Sequence, residues 1–206
     1  MRIELPLTFD DITLGQIQAH GERDLDAIDL VLTYSNTPRE ELLKMPVKVI
    51  EKAAAHINKI LESPNQKHYK KFKLDGIEYG FIPDWSKVTG GEYIDLTTYI
   101  KEPIQNAHKI TAILYRPITR STRKHWNIEE YKGTTGAEKF KETSAGLYFG
   151  ALAFFLTTQR AYGISSLNSL NKKLLKTLIR ATKRCKTNSR KNGTGITPSA
   201  NVRGAT

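Results

Sequence analysis

Residues 145–156 read AGLYFGALAFFL, an apolar run that offers no polar side in whatever helix it forms. A helix apolar on every side has to be enclosed by the rest of the fold, because any open face would leave hydrocarbon in water. A membrane span needs about 20 such residues, so this run is too short to cross a bilayer. The expectation is a buried central helix over about residues 145–161. Gly146 and Gly150, one helical turn apart, would let another stretch of backbone approach that helix closely.

Charge divides the chain at almost the same place. The formal net charge is +11, from 32 Lys and Arg against 21 Asp and Glu. Glu142 is the last acidic residue. From Thr143 to the end the chain contains eleven cations and no acid, so Met1 to Glu142 holds 21 cations against all 21 acids. This partition predicts a neutral globular domain over residues 1–165 and a basic extension over 166–206. Within 166–185, Leu167, Leu170, Leu174, Leu175, Leu178 and Ile179 fall on one side of an amphipathic helix. The end, KTNSRKNGTGITPSANVRGAT, lacks large apolar residues and is expected to be a flexible tail in isolation.

Lys172, Lys173, Lys176, Arg180, Lys183, Arg184, Lys186, Arg190 and Lys191 are the candidate contacts to a nucleic acid or an acidic partner. Cations without acids to pair with favour a polyanion and give a salt-dependent affinity. The bland reading of the same residues is a solvated outer face. Aromatic residues do not interleave with them, so base stacking is not expected there.

The remaining pattern is mainly helical. Met1–Leu7 alternates and could form an edge strand. Capping boxes are expected at Thr13/Gln16, at Thr37-Pro38-Arg39-Glu40 and at Thr89/Glu92. Helices are expected over 24–34, from Pro46 to about Ser63, over 90–100 and over 102–115. Val49, Ile50, Ala53, Ile57, Ile60 and Leu61 should line one face of the second of these. Asp75-Gly76 between the alternating runs around Phe72 and Tyr79 predicts a β-hairpin at about 70–82 with a type I′ turn. Residues 116–135 are polar, basic and without clear period, and read as an extended or irregular excursion. The fold class is therefore α+β, mainly α-helical, with one hairpin.

No constellation suited to catalysis emerges. WSKVTGGEYIDL at 85–96 has a double glycine, but Glu92 stands where a phosphate would want a cation, and no Lys follows. The spacing fits a helix start instead. His20, His56, His68, His108 and His125 lack paired ligand spacing, and Cys185 is a lone thiol suited to a reducing compartment, so no metal, no cofactor and no enzymatic activity is expected. The amino terminus does not read as a secretory signal.

Three segments together carry a family resemblance: FDDITLGQIQ at 9–18, YGFIPDWSKVTGGEYIDL at 79–96 and HKITAILYRPI at 108–118. They resemble virion structural or tail-assembly, chaperone-like, proteins of tailed bacteriophages, members of which occur in crAss-like phages. The similarity spans roughly residues 8–118. It implies a virion component or assembly factor present in several copies, found in the virion and, during assembly, in the host cytoplasm. Such a protein would dock on other phage structural proteins at the portal vertex, at the head-tail connection or tail, or inside the particle as cargo. Glu92, Tyr93, Asp95, His108, Tyr115 and Arg116 would be fold or interface residues. Two other functions stay open at this point: sequence-independent nucleic-acid binding, and membrane activity of an ejected protein using residues 145–156 with the basic helix. A membrane partner is the less expected of the two.

Overall fold

The computed structural model describes residues 3–64, 67–123 and 125–161. Among them the chain is an α+β fold dominated by helix, with seven α-helices, three short 3-10 turns and four strands. The helices are α1 (Leu14–His20), α2 (Ala27–Tyr34), α3 (Arg39–Leu42), α4 (Val47–Leu61), α5 (Gly90–Tyr99), α6 (Ala107–Leu114) and α7 (Ala145–Ala161). The strands are β1 (Lys71–Leu74), β2 (Ile77–Phe81), β3 (Tyr115–Ser121) and β4 (Trp126–Ile128). They form one antiparallel sheet in sequence order.

Local chemistry explains most helix starts. At α1 the Gln16 amide N–H donates to Thr13 Oγ1 at 3.2 Å and Gln16 Oε1 accepts from the Thr13 N–H at 2.9 Å, the reciprocal pair that the spacing predicts. α2 begins later than its apolar pattern suggests, because Asp26 caps it by accepting from the Asp29 N–H at 2.8 Å. The box expected at Thr37 does not form. Pro38 is extended at ψ 142° and itself stands at the cap position, so helical geometry begins one residue too late for the Thr37 hydroxyl. In α4, Ile50, Ala53, Ala54, Ile57 and Leu61 are buried as the period requires, whereas Val49 lies off that face, 43% exposed.

The hairpin turns where expected. Asp75 and Gly76 take φ of 51° and 75°, the left-handed pair that a type I′ turn needs, with Leu74 opposite Ile77. The stretch read as extended or irregular is extended in part and supplies β3 and β4, which enlarge the hairpin to four strands. Helix α6 ends at Leu114 and the chain passes directly into β3, where Tyr115 pairs with Phe81 and Pro117 with Tyr79. A register shift between Ile118 and Arg120 breaks the alternation that would have marked β3 as a strand. Residues 3–7 form no strand.

Helix α7 is the central element, with Ala145, Leu147, Tyr148, Ala151, Leu152 and Phe155 all buried. On one side lies the cluster made by the sheet, α5 and α6; on the other lies that made by α1 to α4, and Phe149 packs against both. Gly146 and Gly150 do serve close approach. A Cβ at Gly150 would overlap the carbonyl oxygen of Lys67, and one at Gly146 would overlap the Asp10 carboxylate. The predicted basic helix and tail, 166–206, lie outside the described residues.

Candidate interaction site

The site grows from the start of α5. Thr89 caps this helix: its Oγ1 accepts from the Glu92 N–H at 3.3 Å, while Glu92 Oε2 accepts from the Thr89 N–H at 2.6 Å and from the Thr89 hydroxyl at 2.7 Å. The double glycine thus starts a helix. A Cβ added at Gly90 would meet no other atom within 4 Å, so the close packing that the glycines could have served is not used there.

The capping role leaves Glu92 Oε1 free to face inward, and Arg116 on β3 meets it with Nη2 at 2.7 Å. Both side chains are withdrawn from water, at 2% and 14% exposure. Alignment is poor for a hydrogen bond, and Arg116 Nε is buried without an acceptor among the described residues, so the contact is an ion pair held by proximity. Desolvation pulls the Arg116 pKa down and Glu92 pulls it back up; a guanidinium stays protonated in either case. The Arg116 head also stands 6.0 Å from the Tyr131 ring centroid, and the Tyr131 hydroxyl donates to Asp95 Oδ2 at 2.5 Å. Burial, reinforced by that bond to Asp95, pushes the Tyr131 phenol well above its ordinary pKa.

Beside this network runs a groove of about 400 Å³, lined by Ile82, Pro83, Val88 and Ile128 as apolar walls and by Glu92 and Arg116 among its polar groups. At its rim Lys87 Nζ lies 3.7 Å from Asp84 Oδ2. Cations and carboxylates are therefore matched in pairs. A groove balanced in this way offers little net attraction to an anion and suits a neutral polar chain with apolar side groups.

Comparison with protein-family models, with curated proteins and with solved structures returned no match.

The remaining residues singled out by resemblance are structural in this geometry. Tyr115 is buried and its hydroxyl donates to the Tyr69 carbonyl at 2.6 Å, with burial raising its pKa far above the ordinary value. Tyr93, on α5, packs half-buried against the core. His108, 5% exposed, has Nδ1 2.8 Å from Gln18 Nε2 and Nε2 3.2 Å from Glu138 Oε1. Gln18 Nε2 also donates to the carbonyls of Ile104 and Gln105, which fixes it as a donor and His108 Nδ1 as the acceptor. Asp75 and Gly76 sit at the tip of the β1–β2 hairpin, whereas Thr89 and Glu92 cap α5. The cations Lys172, Lys173, Lys176, Arg180, Lys183, Arg184, Lys186, Arg190 and Lys191 all lie outside the described residues.

Sequence reasoning missed the Glu92–Arg116 pair itself. Both residues were visible, but the capping spacing accounted for Glu92 fully and nothing local joins it to a strand. Among the described residues no group of His, Cys, Asp or Glu could hold a metal ion.

Proposed function

We propose that this chain is a structural or assembly component of a tailed-bacteriophage particle that works by protein contacts. Its folded body docks on other particle proteins, and its basic carboxyl-terminal arm meets an acidic partner or packaged DNA. The observation that carries the contact reading is the charge-balanced groove. Its buried carboxylate is occupied by the helix cap and by Arg116, so it is a poor general base, while the apolar walls and paired rim charges suit a protein surface. The phage reading rests on the resemblance over residues 8–118.

Quantitative mass spectrometry of purified particles and of assembly intermediates, from the phage that encodes the chain, tests this. The expected result is a fixed multiple copy number in one or the other. Absence from both overturns the proposal.

A second reading, sequence-independent nucleic-acid binding, is favoured by the acid-free segment after Glu142. It requires DNA affinity that falls steeply with salt and is lost when residues 172–206 are removed. Membrane activity has less support. Of the apolar side chains of α7, Ala145, Leu147, Tyr148, Ala151, Leu152 and Phe155 are buried in the core while Phe154 is exposed, and among the described residues no helix is long and apolar enough to cross a membrane.

A further inference from the structure

The neutrality of the chain up to Glu142 conceals an uneven distribution of charge. The segment SPNQKHYKKFKL, residues 63–74, has no acid and places Lys67, Lys70, Lys71 and Lys73 on and just before β1. Among the described residues this strand is an edge of the sheet, with β2 as its one neighbour. Side chains of an edge strand and of its approach can reach a partner lying alongside it from both faces. Lysine on an edge strand commonly serves to repel other strands. Here the arrangement goes further than that role needs.

Lys70 and Lys73 are exposed, and neither they nor Lys71 form an ion pair with any described acid. Glu78 is opposite Lys73 in the β1–β2 register, yet is not within ion-pairing distance. Asp10, the other acid nearby, accepts from the Tyr69 hydroxyl at 3.2 Å. Lys71 is held in place rather than left to wave: its Nζ donates to Ser121 Oγ at 2.6 Å and stands 5.2 Å from the Trp126 ring centroid. Trp126 is itself fixed, with its indole N–H donating to the Phe81 carbonyl at 2.9 Å and its pyrrole edge lying where a Cβ of Gly80 would be. Two cations on alternate positions of one strand, Lys71 and Lys73, stand about 7 Å apart on the same face. Beyond Ser121, Arg123 is also exposed.

We infer that the β1 edge is a phosphate-binding strip for the backbone of a nucleic acid, contacted without regard to base sequence. Lys70, Lys71 and Lys73 are the contacts, and Trp126 acts by orienting Lys71. Its indole is not offered for stacking, because the lysine ammonium lies over the ring and the pyrrole edge is against the sheet. A long polyanion is the occupant that suits the whole charge pattern. The chain carries a second group of cations, without acids, in the sequence after Glu142, and a nucleic acid can engage both groups at once. A nucleic acid offers the same repeating charge along its whole length, whereas an acidic protein segment would have to match each group of cations with its own carboxylates. The inference is independent of the particle reading, which mass spectrometry tests separately.

The test uses the full chain with its arm intact and a fluorescently labelled mixed-sequence DNA duplex, with affinity measured by anisotropy across a range of salt. Each phosphate contact removed should lower the slope of log affinity against log salt by about 0.9. Lys70→Gln combined with Lys73→Gln is therefore expected to reduce the slope by roughly 1.8. Both side chains are exposed, and an unchanged circular dichroism spectrum and melting temperature would confirm folding. Lys73→Glu should weaken binding further than Lys73→Gln. An unchanged slope in the double variant overturns the inference, since the arm would then account for all binding. Equal binding of a polyglutamate chain, lost in the same variants, also overturns it and assigns the strip to an acidic protein.

Discussion

Arg116 Nη2 meets Glu92 Oε1 at 2.7 Å although the two lie on separate elements, so the same carboxylate that closes the cap of α5 also fastens that helix to β3. Removing either partner leaves the other charge withdrawn from water without its counter-ion. Such single removals cost about 3–5 kcal/mol in buried pairs. Glu92→Ala also loses the reciprocal cap, worth about 1 kcal/mol. Urea unfolding should therefore rank Glu92→Ala and Arg116→Met as strongly destabilised. Glu92→Ala combined with Arg116→Met should be less destabilised than the sum of the two single changes, because the double variant strands no charge. Strict additivity would show that the two side chains do not interact.

Glycines separate packing from capping. Gly150→Ala should destabilise by roughly 1–3 kcal/mol, because the added methyl meets the Lys67 backbone, which cannot swing away as a side chain would. Gly90→Ala places its methyl in open space at the first position of α5 and should be neutral or stabilising by up to about 1 kcal/mol. Thermal denaturation of the two variants side by side checks this. A destabilised Gly90→Ala would mean that something unseen approaches the start of α5.

Acid sensitivity should come from three histidines. Burial lowers the pKa of His20, His68 and His108 from the ordinary value of 6.5. Desolvation is the first cause in each, and at His108 Lys141 and Lys109 add to it while Glu138 opposes it. A depressed folded pKa means that the unfolded chain takes up protons first. Stability is thus fully present above the unfolded value near 6.5 and is lost as pH falls through the lower folded values. Urea midpoints should drop between neutral pH and about pH 5. His108→Gln should make that drop shallower, whatever its effect at neutral pH, and an unaltered slope would remove His108 from this account.

Much of the fold was legible from local chemistry. The Thr13/Gln16 and Thr89/Glu92 boxes form because their hydrogen bonds close within three residues, and Asp75-Gly76 turns because positive φ is a property of those two residues. Thr37 failed as a cap by a one-residue offset at Pro38, since the helix phase there is set by its neighbours rather than by the box. The strands β3 and β4 were not placed because β3 takes its first partner from β2, far back in the chain, and because the bulge near Arg120 disrupts the alternation between β3 and β4.

Sequence by itself determined that most of residues 145–156 must be enclosed, though not that Phe154 stays 40% exposed, that the turn at 75–76 reverses a hairpin, and that the chain's excess of positive charge follows Glu142. These are properties of composition and of backbone preference, which need no distant partner. Only the tertiary structure decided that Glu92 answers to Arg116, that Gly150 admits the backbone at Lys67, and that Lys71 is aimed by Ser121 and Trp126. Each of those is a contact between elements remote in the chain, and its energy depends on distance and exclusion of water, neither of which is written in the order of the residues.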